Sequence, residues 1–236
     1  LEISGDLTAE TGAIKLNEFA SPYTLTIKPS GGARVISGTS SGALLGFNGA
    51  DNVTIDGSLS STANTVCPAS AATRDLTITN TNTGTSSAVV WFQSNGLNGA
   101  TGNTVKNCNI VGNATTSTLA GIGSGSSTIS ASSLGFGNNA NAFVNNNITK
   151  VQIGIYSQGA SAANKNTGTI INQNQINGTV ASSNNIRFWS AAPPRTLKPE
   201  APSPALVTPG SNKIDFKTST SPRTTGIFLM AEIESL

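Results

Sequence analysis

Three aspartates and an arginine are the side chains of this 236-residue chain best equipped for chemistry: Asp51, Asp56 and Asp75, with Arg74 beside the last. Two carboxyl groups roughly 5–10 Å apart can cleave a glycosidic bond, one as acid and the other as nucleophile or base. A lyase would instead ask Arg74 or Lys106 to abstract a proton. Asp75 precedes its strand-like segment much as Asn52 does, and Asp56 and Thr79 follow isoleucines in similar surroundings, so Asp51 and Asp75 are expected to approach one another along one edge. The plainer use of the same residues is turn chemistry, because Asp in Asp-Gly or ahead of a strand accepts backbone N–H groups. Arg74 is then the surface ion-pair partner of Asp75.

Other chemistries find fewer residues. The chain has no histidine, which excludes a Ser-His-Asp triad and any imidazole-ligated metal. Gly123-Ser124-Gly125 therefore reads as part of a flexible Gly/Ser loop over residues 121–127 and not as a nucleophile elbow. No Lys-Ser/Thr pair follows these glycines, so they do not make a phosphate loop. Acidic residues are absent between Leu76 and Pro199, and a hard cation such as calcium needs several carboxylate or carbonyl oxygens. No metal and no cofactor is expected. A net charge of +2 is far from that of a nucleic-acid groove. Trp91, Tyr156 and Trp189, with Phe92 and Phe188, could place rings along a groove where sugar faces stack, or could fill the core. Thr77, Thr79, Thr81, Thr83 and Thr85 alternate as in a strand, which offers a flat hydroxyl array for ice or a crystalline polysaccharide; β-propensity explains the same pattern. Cys67 and Cys108 are too few for a disulfide framework and read equally as one staple or as two buried apolar side chains.

The elements that must carry these residues are short strands. Only 10% of residues are charged and 5% aromatic, while Gly, Asn, Ser and Thr abound, so amphipathic helices are not expected. Residues 23–28 (YTLTIK), 52–57 (NVTIDG), 75–80 (DLTITN), 107–112 (NCNIVG), 145–150 (NNNITK) and 172–178 (NQNQING) each join an alternating strand to a polar turn. Their isoleucines Ile27, Ile55, Ile78, Ile110, Ile148 and Ile176 are 28, 23, 32, 38 and 28 residues apart, one coil of a three-strand solenoid with variable loops. Further strands over 34–36, 44–47, 88–92, 121–123, 153–156 and 169–171 would fill the other faces. Nineteen asparagines between Asn95 and Asn185 suit turns that need left-handed backbone and amide ladders.

The stretch from about Tyr23 to Gly178, with YTLTIKPSGG, NVTIDGS, RDLTITNTNTG, NTVKNCNIVGN and NNNITKVQIGIYSQG, resembles the pectate-lyase-like right-handed parallel β-helix domains of secreted and cell-surface bacterial proteins. The resemblance implies an all-β solenoid over residues 1–191. It does not imply one activity, because such coils serve lyases, hydrolases, adhesins and stalks. The lyases of that family gather acids for calcium on the central coils, where this chain has none.

Seven of the ten prolines fall between Pro193 and Pro222, so residues 192–236 should form an irregular tail outside the solenoid. That tail reads as a linker to further domains, as residues foreign to the domain, or as a cap over an exposed coil end. No apolar stretch is long enough to span a membrane, and the absence of Met or an apolar leader at Leu1 suggests a removed signal peptide or a fragment. The expectation is a secreted or cell-surface β-helix acting as spacer or adhesin-like module, with a polysaccharide or surface glycan as partner; the alternative is a polysaccharide hydrolase or lyase using the aspartates.

Overall fold

A computed structural model describes residues 1–19, 23–60 and 72–177, and in backbone the strands Ile186–Trp189, Lys213–Thr218 and Leu229–Glu234. The chain winds through six coils of three strands. The first holds β1 (Glu2–Ile3), β2 (Leu7–Glu10) and β3 (Leu16–Asn17); the second β4 (Leu25–Pro29), β5 (Arg34–Gly38) and β6 (Ala43–Asn48). The third holds β7 (Val53–Asp56), β8 (Leu76–Asn80) and β9 (Ala88–Gln93); the fourth β10 (Thr104–Lys106), β11 (Cys108–Val111) and β12 (Ala120–Gly125). The fifth holds β13 (Ala142–Val144), β14 (Asn147–Thr149) and β15 (Ile153–Gln158), and the sixth β16 (Ile170–Asn172), β17 (Gln175–Asn177) and β18 (Ile186–Trp189). Every strand pairs in parallel with its equivalent one coil away, which makes three parallel sheets and a parallel β-helix.

Alternation explains how each strand contributes to the core. In β8, Leu76, Ile78 and Asn80 are buried while Thr77 and Thr79 are half-buried and face outward. The inward column of the second sheet is Ile36–Ile78–Ile110–Ile148–Ile176 and that of the first is Ile27–Ile55–Val105–Phe143–Ile171. Burying each of these side chains contributes about 1.5–3 kcal/mol. The third sheet adds Phe47 stacked on Phe92, with ring centroids 4.3 Å apart.

The six isoleucines do not form one repeating position; they belong to two columns. Ile27 and Ile55 lie on the first sheet, and Ile78 onward lie on the second. The 23-residue step from Ile55 to Ile78 is a passage from one sheet to the next within a single coil. The later steps of 32, 38 and 28 residues each span one full coil along the second sheet, and they differ because the connections between strands differ in length.

Asparagine shapes two of the corners. Asn52 (φ 56°), Asn107 (φ 59°) and Asn145 (φ 52°) adopt the left-handed conformation, which Asn tolerates better than most residues. Inside one corner Asn146 accepts from Cys108 N at 3.1 Å and donates to Val105 O at 2.8 Å and to Asn174 Oδ1 at 3.0 Å. Inside another, Asn103 accepts from Val53 N and donates to Ala50 O and Asn141 Oδ1. These ladders satisfy buried backbone groups that the bend removes from the sheets.

The run 121–127, expected as a loop, lies largely in β12, whose six residues are all buried. Its glycines supply room: a Cβ on Gly123 would stand 2.1 Å from the Trp91 ring, and one on Gly121 2.4 Å from an Ile148 methyl. The threonine run keeps strand alternation only through Thr79, because β8 ends at Asn80. The tail carries two strands, β19 (Lys213–Thr218) and β20 (Leu229–Glu234); they form an antiparallel hairpin, and β20 adds antiparallel to β16 at the last coil. The prolines from Pro193 to Pro209 lie outside the described residues. Among the described residues no helix is long and apolar enough to cross a membrane.

Candidate functional site

Among the described residues a connected polar constellation sits where the first sheet turns into the second, on the third to fifth coils. Asp56 ends β7 and Lys106 ends β10 as direct register partners. Both occupy outward positions, yet both are buried, at 1% and 3% exposure, beside Ser58, itself buried. Lys106 Nζ lies 3.4 Å from Asp56 Oδ2. The other carboxylate oxygen, Oδ1, accepts from Asn107 Nδ2 at 2.8 Å and from Ser58 N at 3.2 Å. The same outward column begins with Glu2 opposite Lys28, so acid and base alternate along the stack.

The constellation continues upward through amides. Asn145 Nδ2 donates to Asn107 Oδ1 at 2.8 Å. Arg74 reaches the same Asn145, its Nε donating to the carbonyl oxygen and its Nη2 to Oδ1, each at 2.7 Å. Arg74 is therefore tied to a residue two coils away, where the sequence suggested an ion pair with Asp75. Its partial burial lowers its affinity for a proton. Cys108, between Asn107 and Asn109, is a fully buried free thiol whose Sγ donates to Lys106 O at 3.1 Å. Burial first, and the Asp56 charge second, push that thiol up, well above the usual range. Cys67 lies outside the described residues.

Asp51 and Asp75 are not brought together. Asp51 precedes β7 and Asp75 precedes β8, so the length of β7 separates them, on the order of 15 Å at about 3.3 Å per residue. Asp51 Oδ1 accepts from Thr101 N at 2.7 Å, tying the third coil to the fourth. Asp75 Oδ2 accepts from Leu59 N at 2.8 Å and from the Thr73 hydroxyl, closing the neck of the connection between β7 and β8. Asp56 and Thr79 do not occupy equivalent positions either: Asp56 pairs with Lys106 on the first sheet and Thr79 with Val111 on the second. Among the described residues no three Asp, Glu or Cys side chains gather as a metal site.

The aromatic candidates stand elsewhere, on the third sheet. Trp91 and Tyr156 stack with centroids 5.7 Å apart across Gly123, their common register partner. Each is 1% exposed, and each is anchored to the segment after β12: Trp91 Nε1 donates to Ser126 O at 2.8 Å, and the Tyr156 hydroxyl to Ser133 O at 2.9 Å and Gln158 Oε1 at 2.6 Å. Burial raises the Tyr156 phenol to about 12. The rings lie in a second buried apolar cluster with Ala88, Leu119, Ala120 and Ile153, separate from the main core that holds Val90, Phe92 and Ile155. Trp189 is the register partner of Gln158 on β18.

Sequence reasoning singled out the aspartates and Arg74 but missed Asn107 and Asn145. A usable signal exists: VKNCNI (105–110) and FVNNNI (143–148) superpose with a constant offset of 38 residues, the same offset that separates the hydrogen-bonded Asn107 and Asn145.

The outward face of the second sheet is a regular, partly exposed surface. Its two columns are Val35, Thr77, Asn109, Asn147, Gln175 and Ser37, Thr79, Val111, Thr149. None is charged, and all but the exposed Gln175 are half-buried. Successive rungs repeat at about 4.8 Å. No family model, no curated protein and no solved structure matches this chain.

Proposed function

We propose that the chain is an extracellular or cell-surface β-helix of the pectate-lyase-like kind that works as a rigid spacer or adhesin-like module and holds glycans on the flat face of its second sheet. One observation carries this reading: every aspartate and arginine nominated for catalysis makes a cross-coil or turn contact. Asp51 caps Thr101, Asp56 meets Ser58, Asn107 and Lys106, Asp75 holds Leu59 and Thr73, and Arg74 clamps Asn145. Groups used in this way stiffen a solenoid along its axis. Among the described residues Asp56 is buried against Lys106, and the length of β7 lies between Asp51 and Asp75, an arrangement unlike the paired acid and base of glycoside hydrolysis.

The uncharged face suits neutral polysaccharide, whose hydroxyls can exchange hydrogen bonds with Thr77, Thr79 and Thr149. Asn147 donates to Asn109 Oδ1 at 3.2 Å and Asn109 to Arg74 O at 2.9 Å, a ladder that keeps the face in register. A sedimentation assay with insoluble neutral polysaccharides tests this. Binding without release of reducing sugar, weakened by Thr79→Lys with an unchanged circular dichroism spectrum, is the expected result. Reproducible product release that Asp75→Asn abolishes without lowering the melting temperature would overturn the reading in favour of a polysaccharide hydrolase or lyase.

A further inference from the structure

We propose that Lys106 and Asp56 condense into an intramolecular isopeptide bond that staples the third coil to the fourth. The inference stands on the geometry of the pair and not on the module's role. The two side chains are register partners on adjacent parallel strands, both are buried, and Nζ is 3.4 Å from Oδ2. A separated ammonium and carboxylate are costly away from water. Transfer of one proton from Nζ to Oδ2 gives a neutral amine against a neutral carboxylic acid, the two forms that react.

The donors held on Oδ1 fit acyl transfer. Oδ1 takes two N–H donors, Asn107 Nδ2 and Ser58 N, while Oδ2 faces the amine. When Nζ attacks Cγ, negative charge grows on Oδ1, where fixed donors stabilise it as in an oxyanion hole. The C–N bond forms and the Cγ–Oδ2 bond breaks. Of the three ammonium protons, two leave with Oδ2 as water and one remains on the amide nitrogen; nothing is oxidised or reduced, and no co-reactant is needed. Fixed proximity supplies the effective concentration, and exclusion of water opposes the reverse reaction. The link closes a loop of 50 residues between positions 56 and 106, which restricts the unfolded chain.

The Gly57 nitrogen could instead attack Cγ of Asp56 and form a cyclic imide, which also loses one water. That nitrogen donates to Lys106 O at 2.9 Å, which holds it in the ladder. The two products separate by mass spectrometry of the folded, reduced full-length chain after long incubation at neutral pH. An isopeptide leaves the intact mass short by one water. It also blocks tryptic cleavage at Lys106, so that residues 35–74 travel joined to residues 75–150, and Lys106→Arg restores the full mass and separate peptides. A wild-type mass equal to the sequence mass overturns the proposal. So does a one-water loss confined to the peptide 35–74 alone. Both of these outcomes are read on the wild-type protein, so they hold even where Lys106→Arg fails to fold.

Discussion

Arg74 on the third coil clamps Asn145 on the fifth, donating from Nε to its carbonyl oxygen and from Nη2 to its side-chain oxygen at 2.7 Å each. Asn145 sits at φ 52°, so the guanidinium holds a corner whose backbone amino acids with a Cβ seldom adopt. Hydrogen bonds to a charged group contribute about 1.5–3 kcal/mol in favourable settings. Arg74→Ala is expected to lower the urea midpoint by an amount worth about 2 kcal/mol. Arg74→Lys should recover less than half of it, because an ammonium cannot span both acceptors as a fork. Equal stability of Arg74→Ala and wild type in urea titration would show the clamp to be energetically idle.

Gly123 carries no side chain because Trp91 occupies the space a Cβ needs, 2.1 Å away. Overpacking a filled site costs about 1–3 kcal/mol, and the close approach places Gly123→Ala at the upper end. The Trp91→Leu change should be less damaging in the Gly123→Ala background than alone, since the smaller side chain relieves the clash. Thermal unfolding of the two single variants and the double variant checks this; simple additivity would contradict it.

Tyr156 links stability to alkaline pH. Its folded pKa is raised from 10.0 to about 12 by burial, so the folded state prefers the neutral phenol. The associated stability is fully present below pH 10, the unfolded value, and is lost as pH rises from about 10 towards 12. Two pH units correspond to roughly 2–3 kcal/mol. Tyr156→Phe should therefore be less sensitive than wild type to pH across that window. Denaturant titrations of both proteins at pH 9 and pH 11 measure the difference; parallel losses would rule out this role.

Cys108 is buried, and its thiolate is disfavoured by burial and by the Asp56 charge. Alkylation requires the thiolate. In a Cys67→Ser background, iodoacetamide should modify the native protein only as fast as it opens, and denaturant should accelerate labelling in step with the unfolded population. Rapid labelling without denaturant would mean that the corner at Asn107–Asn109 opens locally.

The solenoid and most of its strands were legible because alternation and turn residues are local. Residues 88–92, 121–123 and 153–156 were expected as filler strands and lie within β9, β12 and β15. Which column each strand joined was not legible. Ile55 and Ile78 sit in the same alternating pattern, a polar residue, an aliphatic one and Thr-Ile in NVTIDG and DLTITN, yet they lie on different sheets. Register is decided by loop length, and the connection between β7 and β8 has no sequence signal announcing how much chain it takes up.

The site followed the same division. Asp51 and Asp75 share a turn signature, and each does turn work, accepting a backbone N–H. Their separation depends on β7 running between them. Arg74 lies next to Asp75 in sequence, but a side chain at the start of a strand can reach along the stack, and Asn145 offered two oxygens there.

By itself the sequence determined that this chain buries short alternating strands, turns on asparagine and lacks imidazole chemistry, because these follow from residue type and nearest neighbours. Only the tertiary structure decided that Asp56 meets Lys106, that Trp91 and Tyr156 close over Gly123, and that Arg74 serves the fifth coil. Those contacts join residues 32 to 71 positions apart, and stacking brings them together only after every intervening coil has spent its own length of chain.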